Sequence, residues 1–136
     1  MNAVFADTFF FLAAINPRDS AHSRAIGFSD GFHGRIVTIE WIVIELANAL
    51  AAGRSRAAFS ELLTSLRSDP RVTVVPLDMD LQRRGLVLYS NRTDKDWSLT
   101  DCISFLVMSE SSITDALTGD HHFEQAGFTA LLKTME

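Results

Sequence analysis

Four carboxylates stand where this sequence changes from one kind of segment to another. Asp7 ends the apolar run Ala3 to Ala6, and Asp101 falls three residues after Ser98 at the opening of a second apolar stretch. Asp120 follows the strand-like Ile113 to Thr118 through Gly119, and Glu45 shares with Asn48 the distinction of being polar within WIVIELANALAA, Trp41 to Ala52. Four hard oxygen donors with no soft partner favour Mg²⁺ or Mn²⁺ over zinc, because these ions complete their shells with water and substrate phosphate. With such an ion, activated water attacks in line on phosphorus while the developing and leaving oxygens are held. The chain has no G-x-x-x-x-G-K-[ST] loop and no G-x-G-x-x-G, which argues against nucleotide-driven chemistry.

Each acid also has a plainer explanation. An ionised carboxylate in an apolar helix is costly unless it is protonated, paired with an Arg, or aimed at a cation. For Glu45, with Asp7 and Asp120 expected at the same sheet edge, the cation is favoured over a structural Arg pair. Ser98-Leu99-Thr100-Asp101 fits a capping box, yet a carboxylate at a helix N-terminus also stays ionised and available to a metal. Asp94, Asp96 and Asp115 read as loop, capping or surface residues. His121 and His122 hint at zinc, but adjacent histidines are expected to point apart, and no third His or Cys lies at useful spacing, so both are assigned to the surface. Several acids in one cleft repel one another and raise at least one pKa; Glu45, whose apolar helix offers the least solvent to screen its charge, is expected to bear that cost.

The elements that must position these acids alternate. Strands are expected over Ala3 to Ala6, Arg35 to Ile39, Val72 to Val75, Ile113 to Thr118 and Phe128 to Leu132. Helices are expected over Phe9 to Ile15, Asp19 to Phe28, Trp41 to Ala52 with Gly53 as terminator, and Arg54 to Arg67. Further helices follow from Asp78 to about Tyr89, over Ser98 to Ser109, and as a short turn at His121 to Ala126. Gly31 and Gly34 bracket a loop. The alternation implies βαβ units and an α/β fold: a parallel sheet of about five strands with helices on both faces. Ligands bind such sheets outside the carboxyl ends of the strands, where strand order reverses, and Asp7 and Asp120 belong at that edge.

Composition bounds the class. At 136 residues and 47% hydrophobic content, residues 1–136 are expected to form a single domain with a proper core. The lone Cys102 excludes an internal disulfide and reads as a small buried hydrophobe. The longest fully apolar run, Phe9 to Ile15, is far short of the roughly 20 residues of a spanning helix, and no basic signal-peptide start precedes it, so a cytoplasmic, membrane-free protein is expected. Net charge of -5 argues against a general polyanion binder. Ten of the twelve basic residues are Arg, and Arg54 with Arg56 and Arg83 with Arg84 and Arg92 suggest a local basic rim. Ten Phe and two Trp are more aromatic surface than one small core is expected to hide, which points to a homodimer and a small protein partner.

Ala6-Asp7-Thr8 after a first strand, Glu45 to Leu50 in a helix, Leu99-Thr100-Asp101-Cys102 opening another, and Thr118 to Phe123 resemble, in order and spacing, the four motifs of PIN-domain ribonucleases. The resemblance covers essentially the whole chain, and DKDWSLTDCISF is most similar to the VapC-type toxins of bacterial toxin–antitoxin pairs. It implies a single PIN-like domain and a Mg²⁺- or Mn²⁺-dependent endoribonuclease that dimerises and is held inactive by a small cognate antitoxin. By matching position, Asp7, Glu45, Asp101 and Asp120 become the metal-binding, catalytic quartet. Thr8, Asn48 and Thr118 become supporting or substrate-positioning groups. The chain departs from the pattern at Gly119, where similar proteins often carry a bulkier residue; the loop holding Asp120 is expected to be freer as a result. The alternative is a catalytically inactive PIN-like module that holds a protein partner.

Overall fold

The computed structural model describes residues 2–134. Five strands, β1 (Ala3–Ala6), β2 (Arg35–Ile39), β3 (Val72–Val75), β4 (Asp115–Leu117) and β5 (Thr129–Ala130), form one parallel sheet in the order β3-β2-β1-β4-β5. Strand order reverses between β1 and β4, whose register pairs Phe5 with Ala116 and Ala6 with Leu117. Asp7 and Thr118 are therefore the first residues beyond two adjacent strand ends. Val4, Phe5, Ala6, Ala116 and Leu117 are all fully buried, as central parallel strands covered on both faces must be.

Among the described residues seven helices cover the sheet. α1 (Thr8–Ile15), α2 (His22–Gly31), α3 (Glu40–Ala49) and α4 (Ser55–Ser68) pack in sequence α2 on α1, α1 on α3, α3 on α4. α5 (Met79–Asn91), α6 (Leu99–Glu110) and α7 (His121–Gln125) make a second group, α5 on α6 and α6 on α7. Right-handed crossovers place the two groups on opposite faces, because the chain steps one way from β1 to β3 and the other way from β4 to β5.

The fold matches the expected α/β class, with shifts at element ends that have local causes. α2 begins at His22, not Asp19, because the Asn16 and Asp19 side chains accept from the amides of Arg18 and Ala21 and hold two turns there. Gly31, expected in a loop, ends α2. α3 stops at Ala49, where the Leu50 amide closes on the Leu46 carbonyl; Gly53 lies beyond it at φ +40°, in the turn that opens α4. β4 and β5 keep only the residues with ladder partners. Asp78 caps α5 through the Asp80 amide, as the sequence suggests.

The apolar surface differs from expectation. Phe5, Phe10, Phe11, Phe105, Phe123 and Trp97 are buried, and the other Phe and Trp residues are partly buried against the core. What is exposed is largely aliphatic and centred on α5: Leu77, Met79, Leu86, Val87 and Tyr89, with Ile44 apart on α3. The expected basic rim is also mostly spent. Arg83 and Arg84 pair with Asp80, Arg84 also with Glu110, and Arg92 with Asp94.

α5 reaches α6 closely because Gly85 is buried at their crossing. A Cβ there would lie 2.6 Å from Ile103 Cγ1, too near the branch point for a simple rotation to relieve. Gly85→Val is expected to cost on the order of 2 kcal/mol through overpacking, read as a lower denaturant midpoint with unchanged slope. An unchanged midpoint would show that the two helices separate freely.

Candidate metal centre

The four acids come from four elements and line one cavity of about 440 Å³ at the carboxyl edge of the sheet, together with Thr8, Phe9, Asp96, Ser98 and His122. Asp7 follows β1 and opens α1, Glu45 stands midway along α3, Asp101 lies in the first turn of α6, and Asp120 caps α7. Local chemistry explains each placement. The Thr38 hydroxyl of β2 donates to the Ala6 carbonyl at 2.9 Å, fixing the strand end that carries Asp7.

Thr118 couples two of the acids. Fully buried, its hydroxyl donates to Asp7 Oδ2 at 2.9 Å and accepts from the Asp120 amide at 3.0 Å. Asp120 in turn accepts the His122 amide at 2.9 Å, which starts α7. On the opposite wall the Thr8 hydroxyl donates to Glu45 Oε1 at 2.6 Å. No Arg faces Glu45; the nearby Glu40 takes Arg67 instead. The structural Arg pair considered for Glu45 is therefore absent among the described residues.

The capping-box reading of Asp101 holds. The capping box is complete, Ser98 Oγ accepting the Asp101 amide and Asp101 Oδ2 accepting the Ser98 amide, each at 3.0 Å. Oδ2 also meets His122 Nδ1 at 2.9 Å, which leaves Oδ1 with no protein partner among the described residues. The loop before it is held by Trp97, whose indole nitrogen donates to Gln125 at 3.0 Å, whose ring packs edge-on against Phe105, and which Arg92 covers at 4.8 Å.

Three placements differ from what the sequence suggested. Asn48 is exposed on α3 and does not line the cavity. The adjacent histidines do not point apart: their ring centroids are 4.6 Å from each other, and His122, only 20% exposed, sits between Asp101 and Asp120, 3.5 Å from Asp120 Oδ2. At the first turn of a short helix both side chains reach back to the capping acid, so donor atoms of Asp120, His121 and His122 all lie within 4.8 Å of one another. Gly119 is not loose either, for a Cβ on it would meet the Phe9 ring at 2.5 Å; the aromatic ring occupies the space that a side chain at Gly119 would fill.

Asp7 is buried, whereas Glu45, expected to be the acid most removed from solvent, is only half-buried. Burial, only partly offset by the Thr118 hydrogen bond and reinforced by the charges of Asp101 and Asp120, pushes the Asp7 carboxyl up to about 7. Neither Lys nor Arg lines the cavity among the described residues. An acid raised first by burial and further by its acidic neighbours, in a cleft of hard oxygens without a protein cation among the described residues, fits a divalent ion.

Thr118→Val keeps the shape and removes both hydrogen bonds. It is expected to lower stability by about 1–3 kcal/mol, since a part-buried amide and a buried carboxylate oxygen lose their partner. Weaker Mn²⁺ binding by calorimetry should accompany the fall, whereas Thr118→Ser should restore both; a Val variant as stable as wild type would mean that water replaces the hydroxyl.

An open parallel α/β sheet with an acidic cleft at its switch point defines the class of protein. Residues 4–129 match the PIN domain, and the chain belongs to that family. Among solved structures it is similar to the Mycobacterium tuberculosis toxin VapC20, described as cleaving the Sarcin-Ricin loop. The two share 24% identity over 93% of this chain and 96% of that one, with a TM-score of 0.84. No curated protein sequence matches it. Among the described residues no helix is long and apolar enough to cross a membrane.

Proposed function

We propose that this PIN domain is a divalent-metal-dependent endoribonuclease, the toxin of a type II toxin–antitoxin pair. The observation that carries the proposal is the convergence of Asp7, Glu45, Asp101 and Asp120 on one cavity at the β1/β4 switch point. The likeness to VapC20 supports the choice of RNA as substrate and of a toxin as the setting.

Asp7, Glu45, Asp101 and Asp120 would hold Mg²⁺ or Mn²⁺, with His122 steadying Asp101. Bound there, such an ion supplies Lewis-acid activation of water and neutralises charge on the phosphodiester. The chain's own groups prepare that chemistry. Thr118 holds Asp7 and the Asp120 backbone in one frame, and Thr8 fixes one oxygen of Glu45. The half-buried position of Glu45 and the burial of Asp7 and Asp101 limit competing water around the phosphate.

A homodimer and a small antitoxin complete the proposal. The exposed face of α5, with Leu86, Val87 and Tyr89, offers apolar area that a second protein surface would cover. The test of function is cleavage of total bacterial RNA, and of a sarcin-ricin stem-loop, in Mn²⁺ with and without chelator. Cleavage that survives chelation would remove the metal dependence, and none with metal would remove the nuclease assignment. Light scattering at micromolar concentration should give twice the chain mass, and the product of an adjacent small reading frame should co-purify and inhibit.

A further inference from the structure

A second, larger cavity of about 950 Å³ runs along the sheet edge at β5, and Phe9 lines both it and the acidic cleft. Phe9 is half-buried, directly follows Asp7 and Thr8, and lies over Gly119, next to Asp120. One face of its ring is thus fixed by the backbone that carries two of the four acids.

The charges of this groove are simple. Lys133 and Glu124 pair at 2.8 Å and cancel. Arg24 is held by two carbonyls, Nε donating to Leu132 at 3.0 Å and Nη1 to Ser20 at 3.4 Å, and it meets no carboxylate among the described residues. Its guanidinium is therefore positioned without a carboxylate partner among the described residues, unlike Arg67, Arg71, Arg83, Arg84 and Arg92, which all face acids. A fixed cation in a groove, separated from an acidic cleft by one aromatic ring, matches the alternation of phosphate and base along a single strand.

We infer that Phe9 is a substrate-positioning platform on which a base flanking the scissile phosphate stacks, and that Arg24 receives a neighbouring backbone phosphate in the β5 groove. The inference rests on the ribonuclease proposal and gives its substrate a path: the strand crosses the acidic cleft, turns over Phe9 and follows the groove past Arg24. An unstacked base is required, so the substrate is single-stranded or looped RNA at that position. A π-face accepts any base, so the platform fixes register without selecting sequence.

Phe9→Leu retains apolar volume against Gly119 but lacks the aromatic face, and Phe9→Trp retains both. With a random-sequence oligoribonucleotide pool bearing a fluorophore and a quencher, Phe9→Leu is expected to raise KM roughly 5- to 100-fold while kcat changes less than about twofold. Phe9→Trp should keep the wild-type KM. Arg24→Gln should raise KM and reduce the slope of log affinity against log salt by about one. Mn²⁺ affinity should be unchanged in Phe9→Leu and Arg24→Gln, and both should stay folded, with melting temperatures lowered only as far as the lost ring packing and the lost carbonyl contacts require. A wild-type KM in Phe9→Leu overturns the platform. So does a KM rise that comes with lost Mn²⁺ affinity, which would make Phe9 a prop for Asp120, or a β5 groove that binds an antitoxin peptide while Arg24→Gln leaves RNA kinetics untouched. If the wild type cleaves no RNA at all, the ribonuclease proposal itself falls.

Discussion

Asp7→Asn is expected to reduce RNA cleavage by at least about 10³-fold while leaving the protein folded. Asn has the same shape, and its carbonyl oxygen can still accept the Thr118 hydroxyl that now meets Asp7 Oδ2. What disappears is the negative charge at the most buried acid of the cleft, and with it both ion affinity and the stabilisation of charge developing on phosphorus. Asp120→Asn should act similarly, because Asn is as good a helix cap as Asp and α7 keeps its first turn. The measurement is the single-turnover cleavage rate in Mn²⁺ beside far-ultraviolet circular dichroism. Near wild-type cleavage by either variant would mean that the chemistry takes place elsewhere.

The positions of Asp7 and Asp120 are legible in the sequence because strand ends are local events: an apolar run stops, and the next residue is at the sheet edge. Glu45 is legible for a different reason, since an acid inside WIVIELANALAA demands a partner, although the sequence does not say that the partner is Thr8. Asp101 illustrates how a capping role leaves room for a second one. One oxygen completes the capping box and meets His122, and the other is left over for a ligand.

What could not be read depends on contacts between distant segments. His122 lies 21 residues from Asp101 in the chain, and only the packing of α7 beside α6 brings its ring to the carboxylate. Phe9 and Gly119 are complementary across more than a hundred residues, so a glycine that looks permissive alone is a close packing contact in the fold. The burden of burial moved from Glu45 to Asp7 for the same reason. An apolar helix does not bury its polar residue if that residue faces a cleft, whereas a strand end between two covered strands is shut off from water by the whole core.

That burden gives the second large effect, on stability. In metal-free protein Asp7 has its carboxyl held up at about 7 by burial and by Asp101 and Asp120, against an ordinary 3.8. Below about pH 3.8 the carboxyl is protonated whether the chain is folded or not, and it costs nothing. As pH rises from there to about 7, the unfolded chain ionises while the folded one stays protonated, so stability falls; above 7 the loss is complete, on the order of 4 kcal/mol. Asp7→Asn has no proton to lose and escapes this penalty. At pH 8 with chelator it is expected to melt higher than wild type, by roughly 10 °C for a chain of this size, and the gap should close as pH approaches 4. Glu45→Gln, half-buried and already bonded to Thr8, should move the melting temperature little. Mn²⁺ should narrow the gap at pH 8: a ligand bound only by the folded state adds about 2.7 kcal/mol at a hundredfold excess over its Kd, less than the penalty it offsets, and the variant, lacking the charge, gains less. Thermal melts at pH 4, 6 and 8, with chelator and with Mn²⁺, decide the matter. A variant that melts below wild type at pH 8 in chelator, or a gap that does not change with pH, would show that the Asp7 charge is already compensated within the folded chain and that the cleft has no electrostatic need of a cation.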